Sequence, residues 1–281
     1  MGVRLAGVLP AAVYIREDDI DEAPYLWSDL IARRNALSLR VEELVPVLRV
    51  DLRKYRSRET GALEVGPELV EELIAMEDFV ADEAARIIAT APTDGTVVLR
   101  AVVDQEEFED AHPDARTLRD LVAYPLSLQH VAVGRAAGKL SRQGRAVEVY
   151  RGEQRGDLTV RRLAAGLLKE ETARLLGIDA KRYAKFERNT APPPAGLVAE
   201  LQAVDDFIAA SMTQLEIVEI GGVSVVLMLD DQGAFEKAYP QARTKRDGTV
   251  YPRRVHRVAA ARRAHELEAG GRSARIAVTE R

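Results

Sequence analysis

The chain has 281 residues, of which 47% are hydrophobic and 30% charged, and its formal net charge is −5. The absence of cysteine excludes disulfides, thiolate zinc sites and a cysteine nucleophile, and it permits a reducing compartment. No stretch approaches the roughly 18 apolar residues of a membrane span, and the first residues lack the pattern of a signal peptide. We therefore expect a cytoplasmic protein with no membrane partner.

The first half of the chain is predicted to begin with helices and to continue with a mixed segment. The four helices lie near Pro24–Ala36, Arg40–Leu48, Asp51–Arg58 and Pro67–Ile88. A Gly/Pro-rich break at Ala91–Gly95 separates them from the mixed segment. The later elements are a strand at Val97–Val103, a short helix carrying Phe108, a helix at Pro125–Leu140 and a strand at Val147–Tyr150.

The second half is predicted to run through the same series. Its helices lie near Thr159–Leu167, Lys169–Leu176, Asp179–Glu187 and Gly196–Met212. Thr159 and Asp179 are suitable N-cap residues for two of them. The later elements are a strand at Val223–Leu229, a short helix carrying Phe235, a helix at Pro252–Leu267 and a strand at Ile276–Val278.

The two series agree because the sequence repeats itself. Leu48–Tyr55 matches Leu176–Tyr183, and Val97–Leu99 matches Val225–Leu227 at the same offset. After one deletion, an offset shorter by one position continues toward the C-terminus, where Phe108–Thr117 matches Phe235–Thr244. A nearly constant offset over so many positions predicts a tandem duplication, and its period is too long for a solenoid repeat.

Residues 168–188 carry the strongest functional signal. They read Leu168-Lys-Glu-Glu-Thr-Ala-Arg-Leu-Leu-Gly-Ile-Asp-Ala-Lys-Arg-Tyr-Ala-Lys-Phe-Glu-Arg188, two short helices on either side of Gly177. The pattern resembles the helix-turn-helix of Cro- and lambda-repressor-like (XRE-type) regulators. The resemblance implies that Ala173 lets the helices approach, Gly177 makes the turn and Glu187 closes the recognition helix.

Helical periodicity agrees with that resemblance. If Ile178, Tyr183 and Phe186 point inward, the opposite side of the helix points outward, where it can enter a major groove. The predicted DNA-binding residues are Lys169, Ala180, Lys181, Arg182, Lys185 and Arg188. By resemblance, Ala180, Lys181 and Lys185 lie nearest the base edges, and Lys169 and Arg182 lie nearer the phosphates.

The first half carries a weaker form of the motif. Arg49 stands where Gly177 stands, and Pro46 falls inside the second helix, where it removes a hydrogen bond. The equivalent of the recognition helix is nevertheless strongly basic. Its predicted DNA-binding residues are Arg53, Lys54, Arg56 and Ser57. The motif leaves two interpretations open, a second DNA contact or a degenerate unit kept for packing.

The order of elements is similar to one family, the small phage and bacterial repressors that include the anti-CRISPR-associated autoregulators. That family consists of single-copy chains that dimerise through the C-terminal part, and this sequence departs from it by carrying two copies. The repeat and the resemblance together imply an α+β, mainly α fold: two tandem copies of a helical helix-turn-helix domain, each followed by a small α+β pairing domain, as a single-chain pseudo-dimer. The predicted domains are residues 1–90, 91–152, 153–215 and 216–281. The first of these is the degenerate helix-turn-helix domain.

We therefore expect a sequence-specific DNA-binding transcriptional regulator, a repressor or autorepressor that binds double-stranded DNA at an imperfect inverted repeat. No cofactor is expected, the sequence shows no effector pocket, and pairing of two chains as a homodimer stays open. The alternative is an antitoxin-like or adaptor module for protein interaction, favoured by the acidic helix at Pro67–Glu83. An enzyme is not expected, because the four histidines form no ligand pair at helical spacing.

Overall fold

A computed structural model describes residues 24–279, and it contains twelve α-helices and two three-stranded sheets. The expected α+β, mainly α class is confirmed. In the first half the elements are α1 (Trp27–Ala36), α2 (Val41–Leu48), α3 (Leu52–Glu59), α4 (Pro67–Thr90), β1 (Val97–Ala101), α5 (Gln105–Ala111), α6 (Ser127–Arg142) and β2 (Val147–Arg151). The start of the predicted domain 1–90 lies outside the described residues.

The second half begins after the short strand β3 (Gln154–Arg155). Its elements are α7 (Asp157–Ala164), α8 (Lys169–Leu175), α9 (Ala180–Glu187), α10 (Leu197–Gln214), β4 (Ile217–Ile220), β5 (Val223–Leu229), α11 (Gln232–Ala238), α12 (Arg254–Ala269) and β6 (Ala274–Thr279). Apart from β3 and β4, the element order of the first half recurs. The offset between α6 and α12 is one position shorter than the offset between α3 and α9.

The start of α7 differs from the prediction. The helix begins at Asp157, so Thr159 lies inside it and is not the N-cap. The preceding strand fixes this start, because the Gly156 backbone N–H donates to the Val149 carbonyl at 2.8 Å. The Asp157 carboxylate in turn accepts from the Val149 N–H at 3.3 Å. A contact with β2 therefore sets the helix start in place of a local cap.

The direction of the side chains corrects the match between Val97–Leu99 and Val225–Leu227. β1 runs parallel to β2, and β5 runs parallel to β6. Val97 and Leu99 belong to the core of the first half, but in β5 it is Val226 and Met228 that belong to the core of the second half, while Val225 and Leu227 lie in a separate cluster. The core-facing positions therefore follow the shorter offset, and the change of offset precedes the strand. A shift of one residue turns every side chain of a strand to the other face, and the two valine-rich runs concealed that shift.

The sheets differ at one edge. β4 pairs antiparallel with β5, giving the order β4-β5-β6, whereas the other sheet has the order β1-β2-β3. Within the described residues, β1 has no strand on the edge that β4 occupies in the second half. The preceding helix explains the difference, because α4 has 24 residues and α10 has 18, which leaves chain for an extra strand only in the second half.

The first helix of each half packs on the other half. α1 lies against α12 and β6, and α7 lies against α6 and β2. The Asp29 carboxylate accepts from the Ile276 N–H at 2.9 Å, and Ser28 Oγ donates to the Ile276 carbonyl at 2.5 Å. Gly134 lets α6 approach α7 closely, since a Cβ there would lie 2.2 Å from the Val160 carbonyl oxygen. The two halves therefore interlock through exchanged helices.

Each half has a core shared by its helical and α+β parts. In the first half, Tyr55 from α3 and Leu73 from α4 belong to the same buried cluster as Val97 and Phe108. Edge-on aromatic contacts join the parts, with Phe79 against Phe108 at 5.8 Å between ring centroids. The second half has the same kind of contact between Phe207 and Phe235 at 5.9 Å. The helix-turn-helix unit of each half therefore shares one hydrophobic core with the α+β part that follows it.

Candidate nucleic-acid interface

α8 and α9 form a tight helix-turn-helix. Gly177 takes a positive φ of 63°, a conformation that glycine adopts without strain. The Ile178 N–H donates to the Ala173 carbonyl at 2.8 Å, which closes the turn after α8. The Asp179 carboxylate then accepts from the Arg182 N–H at 3.0 Å and caps α9. The turn and the cap together fix the direction in which α9 leaves α8.

The buried side of α9 agrees with the prediction in most positions. Tyr183 is fully buried and Phe186 is nearly so, and both belong to the core of the second half. Ala173 is also buried, which allows α8 and α9 to pack closely. Ile178 is only half-buried, so it covers the edge of the core without filling it.

A buried ion pair holds α9 in place, and an equivalent ion pair holds α3. Arg162 of α7 donates to Glu187 of α9 at 2.5 Å, and both side chains are at least nine-tenths buried. Arg34 of α1 makes the equivalent contact with Glu59 of α3 at 2.6 Å. Charge-assisted hydrogen bonds of this kind hold a helix at a fixed rotation. Glu187 therefore closes its helix through a partner on a separate helix, which the local pattern did not reveal.

All six predicted DNA-binding residues of the second half are exposed. They are Lys169, Ala180, Lys181, Arg182, Lys185 and Arg188. In the described part of the chain, no carboxylate lies within ion-pair distance of the charged groups of Lys181, Arg182, Lys185 or Arg188. Lys169 differs, because its ammonium lies 3.5 Å from Glu187. The outward side of α9 and its C-cap residue, Arg188, therefore carry four cations with no ion-pair partner among the described residues.

α3 presents a similar surface. Arg53, Lys54 and Arg56 are exposed, and Ser57 is half-buried. Arg56 forms an exposed ion pair with Glu42 at 2.6 Å, a contact of small energetic weight at the surface. Arg53 and Lys54 have no carboxylate at ion-pair distance in the range that the structure covers. Sequence reasoning overlooked Leu52, which occupies the place of Ala180 and is 37% exposed.

The first unit keeps the turn despite its departures from the motif. α2 remains helical through Pro46 to Leu48. Arg49 adopts φ 50° and ψ 42°, the left-handed conformation that Gly177 adopts in the second unit. A residue with a Cβ adopts this conformation at a cost of about 1 kcal/mol. The first unit therefore keeps the geometry of the turn. Arg49 is strained there because it has a Cβ and the equivalent Gly177 has none.

The two units adjoin at the start of their second helices. Arg40, the N-cap residue of α2, lies 3.4 Å from Glu170 of α8. A shallow cleft between the units is lined by residues of both, including Glu43 and Lys169. The exposed ion pair contributes little stability by itself. It nevertheless places the two helix-turn-helix units side by side on the molecule.

A basic loop beside the second turn was not predicted as part of the site. Arg246 donates from Nη1 to the Leu176 carbonyl at 3.4 Å, and Glu200 accepts from the Lys245 N–H at 3.1 Å. The side chains of Lys245 and Arg246 are exposed, and the Asp247 carboxylate of the same loop lies 3.1 Å from the place that a Cβ on Gly177 would take. The signal available in the sequence was the basic run at 243–246, which precedes an Asp-Gly turn.

The arginine-rich helix α12, by contrast, faces the interior. Arg257 pairs with Asp230 at 2.5 Å, and Arg262 pairs with Asp205 at 3.0 Å. Arg254 is mostly buried and donates to the Gly166 carbonyl at 2.5 Å. These three arginines are therefore paired inside the molecule and do not form a surface for phosphate contacts.

Comparison with known proteins gives no relative: no family model, no curated protein and no solved structure matches the chain. Between residues 24 and 279, no group of three or more histidine and acidic side chains is arranged to hold a metal ion. None of the helices in that range combines the length and apolar character needed to cross a bilayer.

Proposed function

We propose that the chain is a sequence-specific DNA-binding transcriptional regulator, a repressor or autorepressor, that reads double-stranded DNA with α9 and α3. The observation that carries the proposal is the outward side of α9. Lys181, Arg182, Lys185 and Arg188 are exposed there without a carboxylate partner in the described chain, on a helix held by a helix-turn-helix turn and a buried ion pair. A helix with this surface fits the major groove, and the free cations suit phosphates and guanine edges.

The contacts can be divided by their position on the helix pair. Ala180, Lys181 and Lys185 belong to the part of α9 that would approach base edges. Lys169 lies at the start of α8 and Arg182 beside the ring of Phe186, 5.7 Å from its centroid, and both suit phosphate contacts. The first group would set sequence preference, and the second would fix the register on the duplex.

We further propose that the two halves are tandem copies that form a single-chain pseudo-dimer. The recurring order of elements supports this, as do the matched ion pairs Arg34–Glu59 and Arg162–Glu187. The reciprocal packing of α1 and α7 on the opposite half is the arrangement expected of two fused partners. Because α3 and α9 differ in their exposed side chains, the operator is expected to be an imperfect inverted repeat.

An acidic chain can still bind DNA if its carboxylates are buried in hydrogen bonds and ion pairs inside the protein. In α4, Glu72 accepts from the Leu118 N–H at 2.9 Å and Glu77 pairs with Arg33 at 2.5 Å. Both carboxylates are at least nine-tenths buried. Among the described residues, eight Asp and Glu residues are buried against six Arg residues, so the net charge of −5 slightly overstates the negative surface. The distribution of charge then decides whether a basic face can attract a polyanion.

One observation favours the alternative of an antitoxin-like or adaptor module. Leu118 and Leu121, in the loop before α6, are 63% and 66% exposed. Neighbouring exposed leucines are a feature of protein-binding surfaces. The corresponding loop of the second half carries charged residues, so the apolar surface belongs to the first half alone.

Selection of bound duplexes from a random DNA pool tests the proposal. The wild-type chain is expected to enrich one sequence, and Lys181→Ala/Lys185→Ala is expected to bind that duplex at least about tenfold more weakly, since a good base contact contributes roughly 1–3 kcal/mol. Arg100→Ala/Lys237→Ala removes the same charge from exposed positions outside both proposed sites and is the matched control. Absence of enrichment, or equal binding by both variants, would contradict the proposal.

A further inference from the structure

A cavity of about 440 Å³ lies between the two halves, within the size range of small-molecule sites. Two helices of each half form it, α4 and α6 from the first and α10 and α12 from the second. None of the proposed DNA-binding residues contributes to its walls. It is therefore a separate feature of the molecule.

The walls of the cavity divide into an apolar and a cationic part. Ala84 and Ile88 of α4 and Met212 of α10 provide apolar surface. The cationic part comes from four side chains of α6 and α12: Arg135, Lys139, Arg142 and Arg262. An apolar wall with a few convergent charged groups is the usual composition of a site for a small amphipathic ligand.

The positive charge in this cavity is only partly compensated. Asp205 serves two of the guanidinium groups at once, accepting from Arg142 at 2.5 Å and from Arg262 at 3.0 Å. Within the described residues, no carboxylate lies at ion-pair distance from the charged groups of Arg135 and Lys139. Two further carboxylates lie nearby: Asp206 is 3.4 Å from Arg142, and Glu266 lines the cavity and pairs with Arg263 at 3.0 Å. None of the three carboxylates forms an ion pair with Arg135 or Lys139, so these two cations lack a direct counter-charge within the described residues.

Arg135 is the least satisfied of these groups. Its Nη2 donates to the Ala36 carbonyl at 3.2 Å, while its buried Nε has no hydrogen-bond partner among the described residues. The Nε of Arg262 is likewise buried and without such a partner, on a side chain that is 9% exposed. Burial, together with the nearby charge of Arg262, lowers the pKa of Arg135 to about 9. The group stays charged at neutral pH in a place where a charge without a partner is costly.

We propose that this cavity binds a small organic acid with an apolar body. The acid group would lie between Arg135 and Lys139 and complete their charge-assisted hydrogen bonds. The apolar body would lie against the alanine and methionine side chains of α4 and α10. Because the walls come from both halves, one ligand would contact both and favour the arrangement of the halves that binds it.

A fluorescent acid tests the proposal without requiring DNA. The probe is 8-anilinonaphthalene-1-sulfonate, which carries an anionic group on an apolar aromatic body. The full chain is expected to bind it saturably at one site. Octanoate or octyl phosphate is expected to displace it, and the better competitor identifies the acid group. Octanol and octylammonium, which lack a negative charge, are not expected to displace it.

Variants locate the site. Arg135→Leu is expected to weaken probe binding roughly tenfold, the size of a lost charge-assisted hydrogen bond. Ala209→Phe fills the cavity without removing charge and is expected to abolish binding, which keeps the test decisive if Arg135→Leu does not fold. Lys181→Ala/Lys185→Ala is expected to bind the probe like wild type. A failure of the DNA-binding proposal can therefore be distinguished from a failure of the cavity proposal. Displacement by octanol as strong as by octanoate, or unchanged binding by folded Ala209→Phe, would overturn the proposal.

Discussion

Gln129 and His256 are buried at equivalent positions of the two halves, and each accepts a hydrogen bond from a backbone N–H. Gln129 accepts from the Val102 N–H through Oε1 at 3.2 Å, and His256 accepts from the Leu229 N–H through Nδ1 at 3.1 Å. An accepting ring nitrogen cannot carry a proton, so His256 contributes to the fold only when its ring is neutral. Burial accordingly lowers its pKa from 6.5 to about 4.

This difference predicts a dependence of stability on pH. The unfolded chain takes up a proton at His256 near pH 6.5 and the folded chain only near pH 4, so stability is complete above pH 6.5 and is lost as the pH falls toward 4. Between pH 7 and pH 4, the wild type is expected to lose on the order of 3 kcal/mol more free energy of unfolding than His256→Gln. Urea unfolding of both proteins at several pH values measures this difference in the free energy of unfolding.

The comparison between the two proteins isolates the histidine. Burial raises the pKa of Asp29 to about 6, so this group acts in the opposite direction and costs stability as the pH rises from about 4 to 6. That contribution is present in both proteins and cancels in the difference. Stability curves of wild type and His256→Gln that ran parallel from pH 7 to pH 4 would contradict the assignment.

Sequence reasoning at this scale succeeded where one helix decides the outcome. The burial of Tyr183 and Phe186 and the exposure of Lys181 and Lys185 follow from a period of 3.6 residues. It did not reveal the ion pair of Glu187, because Arg162 comes from a helix two elements earlier. A periodic pattern reports the faces of one helix and contains no information about the partner that a distant helix supplies.

At the scale of elements, the order of helices and strands was predictable and their junctions were less so. The caps at Asp51 and Asp179 confirmed two helix starts, because a cap is a local signal. The start of α7 was misplaced because its determinant is a backbone contact with β2. β4 was missed since Ile217–Ile220 is short and becomes a strand only by pairing with β5.

The packing of α1 and α7 on the opposite halves leads to a prediction for one hydrogen bond in each half. Asp29 of α1 holds the Ile276 amide of β6 at 2.9 Å. Asp29→Ala removes that acceptor, so the amide of Ile276 is expected to exchange its hydrogen with solvent several-fold faster, as local protection falls with lost hydrogen bonding. Amide exchange followed by NMR measures the effect.

Asp157→Ala is the matched change in the other half, where it frees the Val149 amide of β2. The two variants are expected to give reciprocal results, each loosening an amide in the half opposite to its own helix. Unchanged exchange at Ile276 in a folded Asp29→Ala protein would argue that α1 does not hold β6.

At the scale of the whole molecule, the sequence indicated two repeated halves and said nothing about how they meet. The interlocking of α1 with α12 and of α7 with α6 depends on contacts between residues that lie far apart in the chain, such as Ser28 with Ile276. The cavity between the halves could not be foreseen for the same reason. Arg135 and Met212 line one cavity only after both halves fold.

The proposed regulator binds one duplex with two basic helices, α3 and α9, which come from adjoining helix-turn-helix units. The direct measurement is a hydroxyl-radical footprint of the wild-type chain on the duplex that it selects. We predict two protected segments about one helical turn, roughly 34 Å, apart. Arg53→Ala/Lys54→Ala is expected to remove one segment, and Lys181→Ala/Lys185→Ala the other. A single protected segment that the change in α3 leaves intact would contradict the claim that both helices contact DNA.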